Sequence, residues 1–339
     1  MNPNVVVLGA TGAVGGEMVR VLEQRGFPVG SLRLLSTQRS AGRQISFRGT
    51  PHEVEEVGPR SFDGIDLALF AAGADGSRTW APVARAAGAT VVDNSNAFRY
   101  EADVPLVVPE VNRDALEGHT GLIANPNCST IQLVLVLAPL ARAVPIERVL
   151  VSTYQSVSGT GVDAITELDA QLAARVRGDG GVPAPQIYPH PIADNVLPHV
   201  DDFLDNGYCR EEMKLVWESR KILGLPDLRL SATTVRVPVR VAHSEAVTID
   251  FARPVSPAEA RALLAEAPGV QVVDEPSRAE YPTPLEAAGG DLALVGRIRN
   301  DLSNERGLLL FISCDNLRKG AALNAVQIAE ELFCRSLRA

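Results

Sequence analysis

The sequence predicts an α/β protein of two units: a doubly wound parallel sheet, followed by an α+β unit on a mixed sheet. Three observations carry that prediction. Short apolar runs alternate with helix-period patterns up to about residue 125, the first run enters a glycine turn that opens a helix, and later β-like stretches are longer. Strands of the first region are expected over 5–8, 32–35, 66–70, 90–93 and 122–124. Those of the second are expected over 148–157, 230–241, 246–251, 292–299 and 308–314. A Gly- and Pro-rich segment, 178–198, reads as an extended surface excursion. The final pattern, 320–332, is a helix with Leu323, Val326, Ile328 and Leu332 on its apolar face, able to pack back on the first unit. The expected units are 1–127, completed by a C-terminal helix within 316–339, and 128–315.

The first element runs from Val5 to Leu8 into Gly9, Ala10, Thr11, Gly12, Ala13, Val14 and Gly15, then a helix pattern through Met18, Val19, Val21 and Leu22. Glycines let a backbone approach a pyrophosphate, and the helix N-terminus supplies N–H donors and a favourable dipole. The spacing is GxxGxxG rather than GxGxxG, but its place between strand and helix identifies a Rossmann-type dinucleotide site. The next strand selects the nucleotide. An NAD site presents a carboxylate to the ribose 2′-hydroxyl there. Here the strand ends in Ser36, Thr37, Gln38, Arg39, Ser40, Ala41, Gly42 and Arg43, which suits a 2′-phosphate and hence NADP. A solvated basic loop is the alternative.

Cys128 follows the apolar run 122–124 within Asn125, Pro126, Asn127, Cys128, Ser129 and Thr130, and precedes the helix pattern 131–143. A thiol at a strand-to-helix turn meets free N–H groups and a positive dipole, which favour the nucleophilic thiolate. Isolated cysteines are more often buried apolar residues. The polar, turn-forming surround and the nucleotide motif favour a nucleophile.

Composition narrows the partners. The chain has 339 residues, is 46% hydrophobic and 22% charged, and carries a net charge of −9. That length accommodates two cores, and the acidic balance argues against nucleic-acid and anionic-membrane partners. With neither a signal-peptide pattern nor a long apolar run, a cytoplasmic protein is expected. The cysteines Cys128, Cys209, Cys314 and Cys334 are widely spaced and apart from the histidines, so neither a disulfide framework nor a metal site is expected.

Other polar residues could serve such a cysteine. Gln155, Ser156, Ser158 and Gly159 leave a strand for a glycine-containing loop. Alternation over 235–241 puts Arg236 and Arg240 on one face, and His243 follows with a ring suited to proton transfer near neutral pH. Glu211 and Lys214 share a helix face, ordinarily a surface ion pair. Arg99 follows the fourth strand, at the edge where doubly wound sheets bind ligands, though a surface arginine is the default there.

Taken in order, these motifs, with Ser95 to Arg99, Val108 to Asn112 and Asn125 to Thr130, resemble aspartate-semialdehyde dehydrogenases over nearly the whole chain. The resemblance implies reversible, NADP- and phosphate-dependent oxidation of L-aspartate 4-semialdehyde to L-4-aspartyl phosphate, feeding lysine, threonine, methionine and diaminopimelate synthesis. It implies Cys128 as the nucleophile that forms a thioester, His243 as the acid/base, and Gln155 as the residue holding substrate against Cys128. Arg236 would clamp the substrate carboxylate and Glu211 its ammonium; Arg99 and Lys214 would bind inorganic phosphate. Gly9, Thr11, Gly12, Ala13 and Val14 would meet the pyrophosphate, Ser36, Arg39 and Ser40 the 2′-phosphate, Ser158 and Gly159 the nicotinamide, and Asn316 the end of the cofactor. A homodimer built through the second, catalytic unit is also implied. N-acetyl-γ-glutamyl-phosphate reductase is the nearest alternative, while a thiol hydrolase and a non-catalytic NADP-binding module leave more of the sequence unexplained.

Overall fold

The computed structural model describes residues 2–178 and 182–334. The chain forms two compact units, Met1–Asn127 with Gly320–Ala339, and Cys128–Lys319.

In the first unit β1 (Val5–Leu8) leads through α1 (Ala13–Gln24) to β2 (Leu32–Ser36), and the hairpin β3 (Gln44–Phe47) and β4 (Thr50–Glu56) follows. Then come β5 (Leu67–Phe70), α2 (Gly73–Ala86), β6 (Thr90–Asp93), the single turn α3 (Pro109–Asn112) and β7 (Leu122–Ala124). The sheet order is β3-β4-β2-β1-β5-β6-β7, and only the β3–β4 pair is antiparallel. The hairpin was not expected: alternating polar residues such as Gln44, Ser46, His52 and Glu53 hide its strand character from an apolar-run criterion. Every residue of β1 and β5 is buried, as parallel strands covered on both faces require. The C-terminal helix, Leu323–Phe333, joins the same core through Leu323, Val326 and Ile328, beside Met18, Val19 and Leu22 of α1. A π-helical turn, Arg318–Ala322, delays its start beyond the expected Gly320. The remainder of the expected C-terminal segment, residues 335–339, lies outside the described residues.

The second unit contains α4 (Cys128–Ala143), β8 (Ile146–Gln155), α5 (Val162–Arg177), α6 (Arg210–Leu223), β9 (Arg229–Arg236), β10 (His243–Phe251) and α7 (Pro257–Ala265). It ends with β11 (Val270–Val272), the short α8 (Pro284–Ala287), β12 (Ala293–Asn300) and β13 (Gly307–Cys314). The order β11-β12-β13-β10-β8-β9 makes a mixed sheet, parallel only at β11–β12 and β8–β9. α4 is buried on nearly every face, which its uninterrupted apolar sequence permits.

Two expectations are corrected here. β9 stops at Arg236 because Pro238 has no N–H to continue the ladder, so Arg240 lies beyond the strand and pairs with Asp169 at 2.6 Å. The 178–198 segment is not wholly a surface excursion. Its described part buries Ile192, Ala193 and Leu197 against α5, and Leu197 exchanges backbone hydrogen bonds with Arg236 at 2.8 and 2.9 Å. Residues 179–181 lie outside the described residues. No described helix is long and apolar enough to cross a membrane.

A Cβ at Gly15 would stand 2.1 Å from the Gly9 carbonyl oxygen, so α1 seats on the glycine turn only without a side chain there. Gly15→Ala is expected to lower the unfolding free energy by roughly 1–3 kcal/mol, the usual cost of overpacking, in urea titrations.

Candidate active site

The glycine turn of the first unit is backbone-determined. Gly9 has φ +86°, and a Cβ there would meet the Ala71 carbonyl oxygen at 2.4 Å. Its N–H donates to the Leu35 carbonyl at 2.8 Å, and the Gly12 N–H donates to the Gly9 carbonyl at 3.0 Å. Ala13 and Val14 open α1, so their N–H groups belong to its first turn. Beside this turn is a cavity of about 430 Å³, lined among others by Gly9, Thr11, Gly12, Ser36, Arg39 and Ser40. Among the described residues no carboxylate lines it. Thr11 Oγ1 and Ser36 Oγ are 3.2 Å apart, tying the turn to the end of β2. Donors, glycine backbone and a cation in one cavity fit a dinucleotide phosphate chain.

Arg99 is buried rather than superficial. Its Nε donates to the Asn125 carbonyl and one terminal nitrogen to the Asn94 carbonyl, both at 2.9 Å. Asn125 is also held by its side chain, which donates to Asn94 Oδ1 at 2.7 Å and accepts from Asn324 Nδ2 at 2.7 Å. The turn preceding the cysteine is thus fixed from several sides.

Cys128 is the first residue of α4 and half-buried, and none of the four cysteines is in a disulfide. Gln155 and Arg236 end the parallel strands β8 and β9 and are register partners. Gln155 Nε2 donates to Glu211 Oε1 at 2.9 Å; the Lys214 ammonium donates to Glu211 Oε2 at 2.9 Å and to Asp201 Oδ2 at 2.7 Å. Gln155, Glu211 and Lys214 are buried and Asp201 closes the chain from the surface, so this is not the surface pair of the sequence expectation. Burial works against the Lys214 charge, but Glu211 and Asp201 outweigh it and hold its pKa above the ordinary lysine value. α6 is aimed by its own cap: the Cys209 N–H donates to Glu212 Oε2 at 2.8 Å, and Glu212 Oε1 accepts the Thr234 N–H of β9 at 3.0 Å.

His243 opens β10 and is fully buried. Its Nδ1 accepts the Ser156 N–H at 3.0 Å, while Nε2 has no partner among the described residues. Burial first, and then the nearby Arg236 cation, lowers its pKa from 6.5 to about 3 despite the opposing Glu211 charge. Arg236 donates through one terminal nitrogen to the Ser156 carbonyl at 2.7 Å, and its buried Nε has no partner among the described residues. A Cβ at Gly159 would lie 3.1 Å from both that terminal nitrogen and His243 Nε2. The missing side chain keeps both groups approachable. Ser158 and Asn316 are joined, with Ser158 Oγ 3.0 Å from Asn316 Oδ1. Among the described residues no group of three or more His, Cys, Asp or Glu is placed to hold a metal ion.

Sequence reasoning missed several contributors. Asp201 and Tyr188 come from the irregular segments between α5 and α6, where no periodicity marks them; Tyr188 lies under Arg236 with its ring centroid 5.9 Å from the guanidinium carbon. Glu245 was discoverable, being an acid two residues after His243 in a strand rich in apolar residues. Its side chain is fully buried, and neither carboxyl oxygen has a hydrogen bond of good geometry. Nearby Gln132 stabilises the ionised form only slightly; burial prevails and raises the pKa from 4.5 to about 8.

An acid whose pKa is raised on folding favours the folded state most below pH 4.5, and this contribution is lost as pH climbs towards 8. Glu245→Gln is therefore expected to flatten the stability profile across that range and to raise the urea midpoint most near pH 8. Parallel profiles for the two proteins would contradict the assignment.

Comparison with known proteins agrees with this geometry. Residues 4–119 match the family described as "Semialdehyde dehydrogenase, NAD binding domain", and 137–319 match "Semialdehyde dehydrogenase, dimerisation domain". The aspartate-semialdehyde dehydrogenase of Legionella pneumophila is 53% identical over 97% of this chain and 95% of its own length. That of Bacillus subtilis (strain 168) is 48% identical over 97% of both chains. Among solved structures, aspartate semialdehyde dehydrogenase II of Vibrio cholerae complexed with ASA has a TM-score of 0.95 and 44% identity, covering 99% of both chains. The Candida albicans enzyme with NADP has a TM-score of 0.75 and 26% identity, covering 98% of both. With both units matched and near-half identity along almost its entire length, the chain belongs to the aspartate-semialdehyde dehydrogenase family.

Proposed function

We propose that this protein catalyses the reversible, NADP- and phosphate-dependent oxidation of L-aspartate 4-semialdehyde to L-4-aspartyl phosphate. The step feeds lysine, threonine, methionine and diaminopimelate synthesis. The observation that carries the reading is Arg236: a buried guanidinium with an unpartnered Nε calls for a planar anion, and it lies beside an imidazole with an unpartnered Nε2. An amino-acid aldehyde offers a carboxylate to the first and a carbonyl oxygen to the second.

In this reading Cys128 attacks the aldehyde carbon, and the acyl group is carried as a thioester until phosphate displaces the sulfur. The helix N-terminus favours the thiolate that both steps need. Arg236 binds the carboxylate, Glu211 the ammonium, and Gln155 orients substrate towards Cys128. His243 serves the reacting oxygen. Lys214 and Arg99 supply the cations for phosphate. When bound, the nicotinamide cofactor supplies the hydride acceptor; Thr11, Gly12, Ala13 and Val14 hold its pyrophosphate, and Ser158, Gly159 and Asn316 its nicotinamide end. Ser36, Arg39 and Ser40 receive the 2′-phosphate, and the acid-free cavity supports NADP over NAD.

A homodimer through the second unit accompanies this assignment. Support comes from the outer face of its sheet, where Leu150 and Tyr154 stay 39% and 40% exposed and the Tyr154 ring lies 6.0 Å from that of Phe311.

With aspartate semialdehyde, NADP⁺ reduction is expected to require inorganic phosphate and to vanish in Cys128→Ala. Turnover of N-acetylglutamate semialdehyde instead would redirect the substrate assignment. Arg39→Ala should reduce kcat/KM for NADP⁺ by about 10–100-fold, the value of a lost charge-assisted hydrogen bond, while sparing NAD⁺. Equal losses with both cofactors would place Arg39 outside the 2′-phosphate site.

A further inference from the structure

We infer that Asn324, on the C-terminal helix, is a positioning residue for Arg99: acting through Asn125 and Asn94, it fixes the guanidinium that receives inorganic phosphate. The inference rests on the phosphate role of Arg99 in the reaction proposed above. An out-of-place polar side chain marks the spot. Asn324 sits among Leu323, Ala325 and Val326, which belong to the core of the first unit, and like them it is buried. A buried amide is costly unless its donors are used.

Both N–H bonds of this one are used. Asn324 Nδ2 donates to the Val107 carbonyl at 2.9 Å and to Asn125 Oδ1 at 2.7 Å. Asn125 Nδ2 donates in turn to the Ala321 carbonyl at 3.1 Å and to Asn94 Oδ1 at 2.7 Å. A carbonyl oxygen only accepts, so the Val107 and Ala321 contacts identify the nitrogen end of each amide. The chain therefore runs in one direction, from Asn324 through Asn125 to Asn94. All its members belong to the first unit.

Its far end is Arg99. β6 and β7 are parallel with Asp93 opposite Ala124, so the residues that follow, Asn94 and Asn125, leave the sheet side by side. Their backbone carbonyls are the two that accept from Arg99, one from Nε and one from a terminal nitrogen. Side-chain amides joined head to tail hold those carbonyls in register, and the carbonyls set the guanidinium plane. The start of the intervening loop is pinned independently. Asp93 accepts the Ser95 N–H at 3.1 Å, the Ser95 hydroxyl at 2.7 Å and the Ser77 hydroxyl at 2.6 Å. Cutting the asparagine chain therefore loosens Arg99 while the Asp93 anchor remains.

A guanidinium held in one plane loses less freedom when an oxyanion binds, and that gain appears as affinity. Binding energy of this kind moves KM and spares kcat.

Asn324→Ala and Asn94→Ala, the second of which keeps the backbone carbonyl that Arg99 uses, should each raise the KM for inorganic phosphate about tenfold, the order of one hydrogen bond to a charged group. Both should leave kcat at saturating phosphate and the KM for NADP⁺ within about twofold. The double variant should do no more than either single one, since both cut the same chain. Val326→Ala, which thins the same buried helix face but leaves the amides, should lower the urea midpoint without moving the phosphate KM. Nitrogen-15 NMR of arginine-labelled full-length protein supplies a readout that needs no substrate, so a failed positioning role and a failed reaction assignment are distinguishable. The Arg99 Nε–H, assigned by its loss in Arg99→Lys, should be protected from solvent exchange in the parent and exchange at least about tenfold faster in both asparagine variants. An unchanged phosphate KM in both asparagine variants, an equal rise in Val326→Ala, or unaltered exchange at Arg99 would overturn the inference.

Discussion

The backbone of a single residue, Ser156, governs the second unit's chemistry. Its N–H fixes His243 and its carbonyl fixes Arg236, so the imidazole and guanidinium are referenced to the two peptide planes that meet at one Cα. Each contact uses one face of a bifunctional side chain and leaves the other for substrate. Backbone is well suited to this task because it cannot change rotamer. Gly159, three residues on, keeps the space before both groups open.

Around that joint lies a chain of charges, two of them buried, that would be costly separately. The Asp201–Lys214–Glu211–Gln155 chain takes an ammonium and two carboxylates out of full hydration, with Lys214 nearly wholly enclosed. Such a network holds only when its donors and acceptors are matched, and removing one member strands another. Glu245 is a different solution to burial: with no cation beside it among the described residues, burial raises its pKa and favours the protonated form. One unit therefore contains an ammonium kept charged by neighbours and a carboxyl kept neutral by their absence.

Much of this was legible in the chain. The strands 5–8, 90–93 and 122–124 have the expected limits because both faces are covered, leaving dense apolar runs with turns at each end. The place of Cys128 at the start of a helix was recognisable because its neighbours are turn formers while its downstream residues are helical. The β3–β4 hairpin was hidden by polar alternation, and the limit of β9 by reading Val235 to Val241 as periodic while overlooking that Pro238 interrupts the ladder. Asp201 and Tyr188 could not be read, since their importance lies in tertiary contacts with Lys214 and Arg236. Sequence order gives types and local periods; it gives no partner across such distances.

The topology of the mixed sheet explains why these partners meet. β8 and β9 are parallel neighbours, so Gln155 and Arg236 leave the sheet at the same edge. The antiparallel β10 enters at that edge with His243, and β13 ends beside it at Cys314. An antiparallel β8–β9 pair could be closed by a short hairpin, but would send the two strand ends to opposite edges. The parallel pair needs a long crossover. That crossover holds α5, the segment bearing Tyr188 and Asp201, and the capped start of α6 with Glu211 and Lys214. Thus the connection demanded by strand direction also supplies the polar chain beneath Gln155 and the ring beneath Arg236.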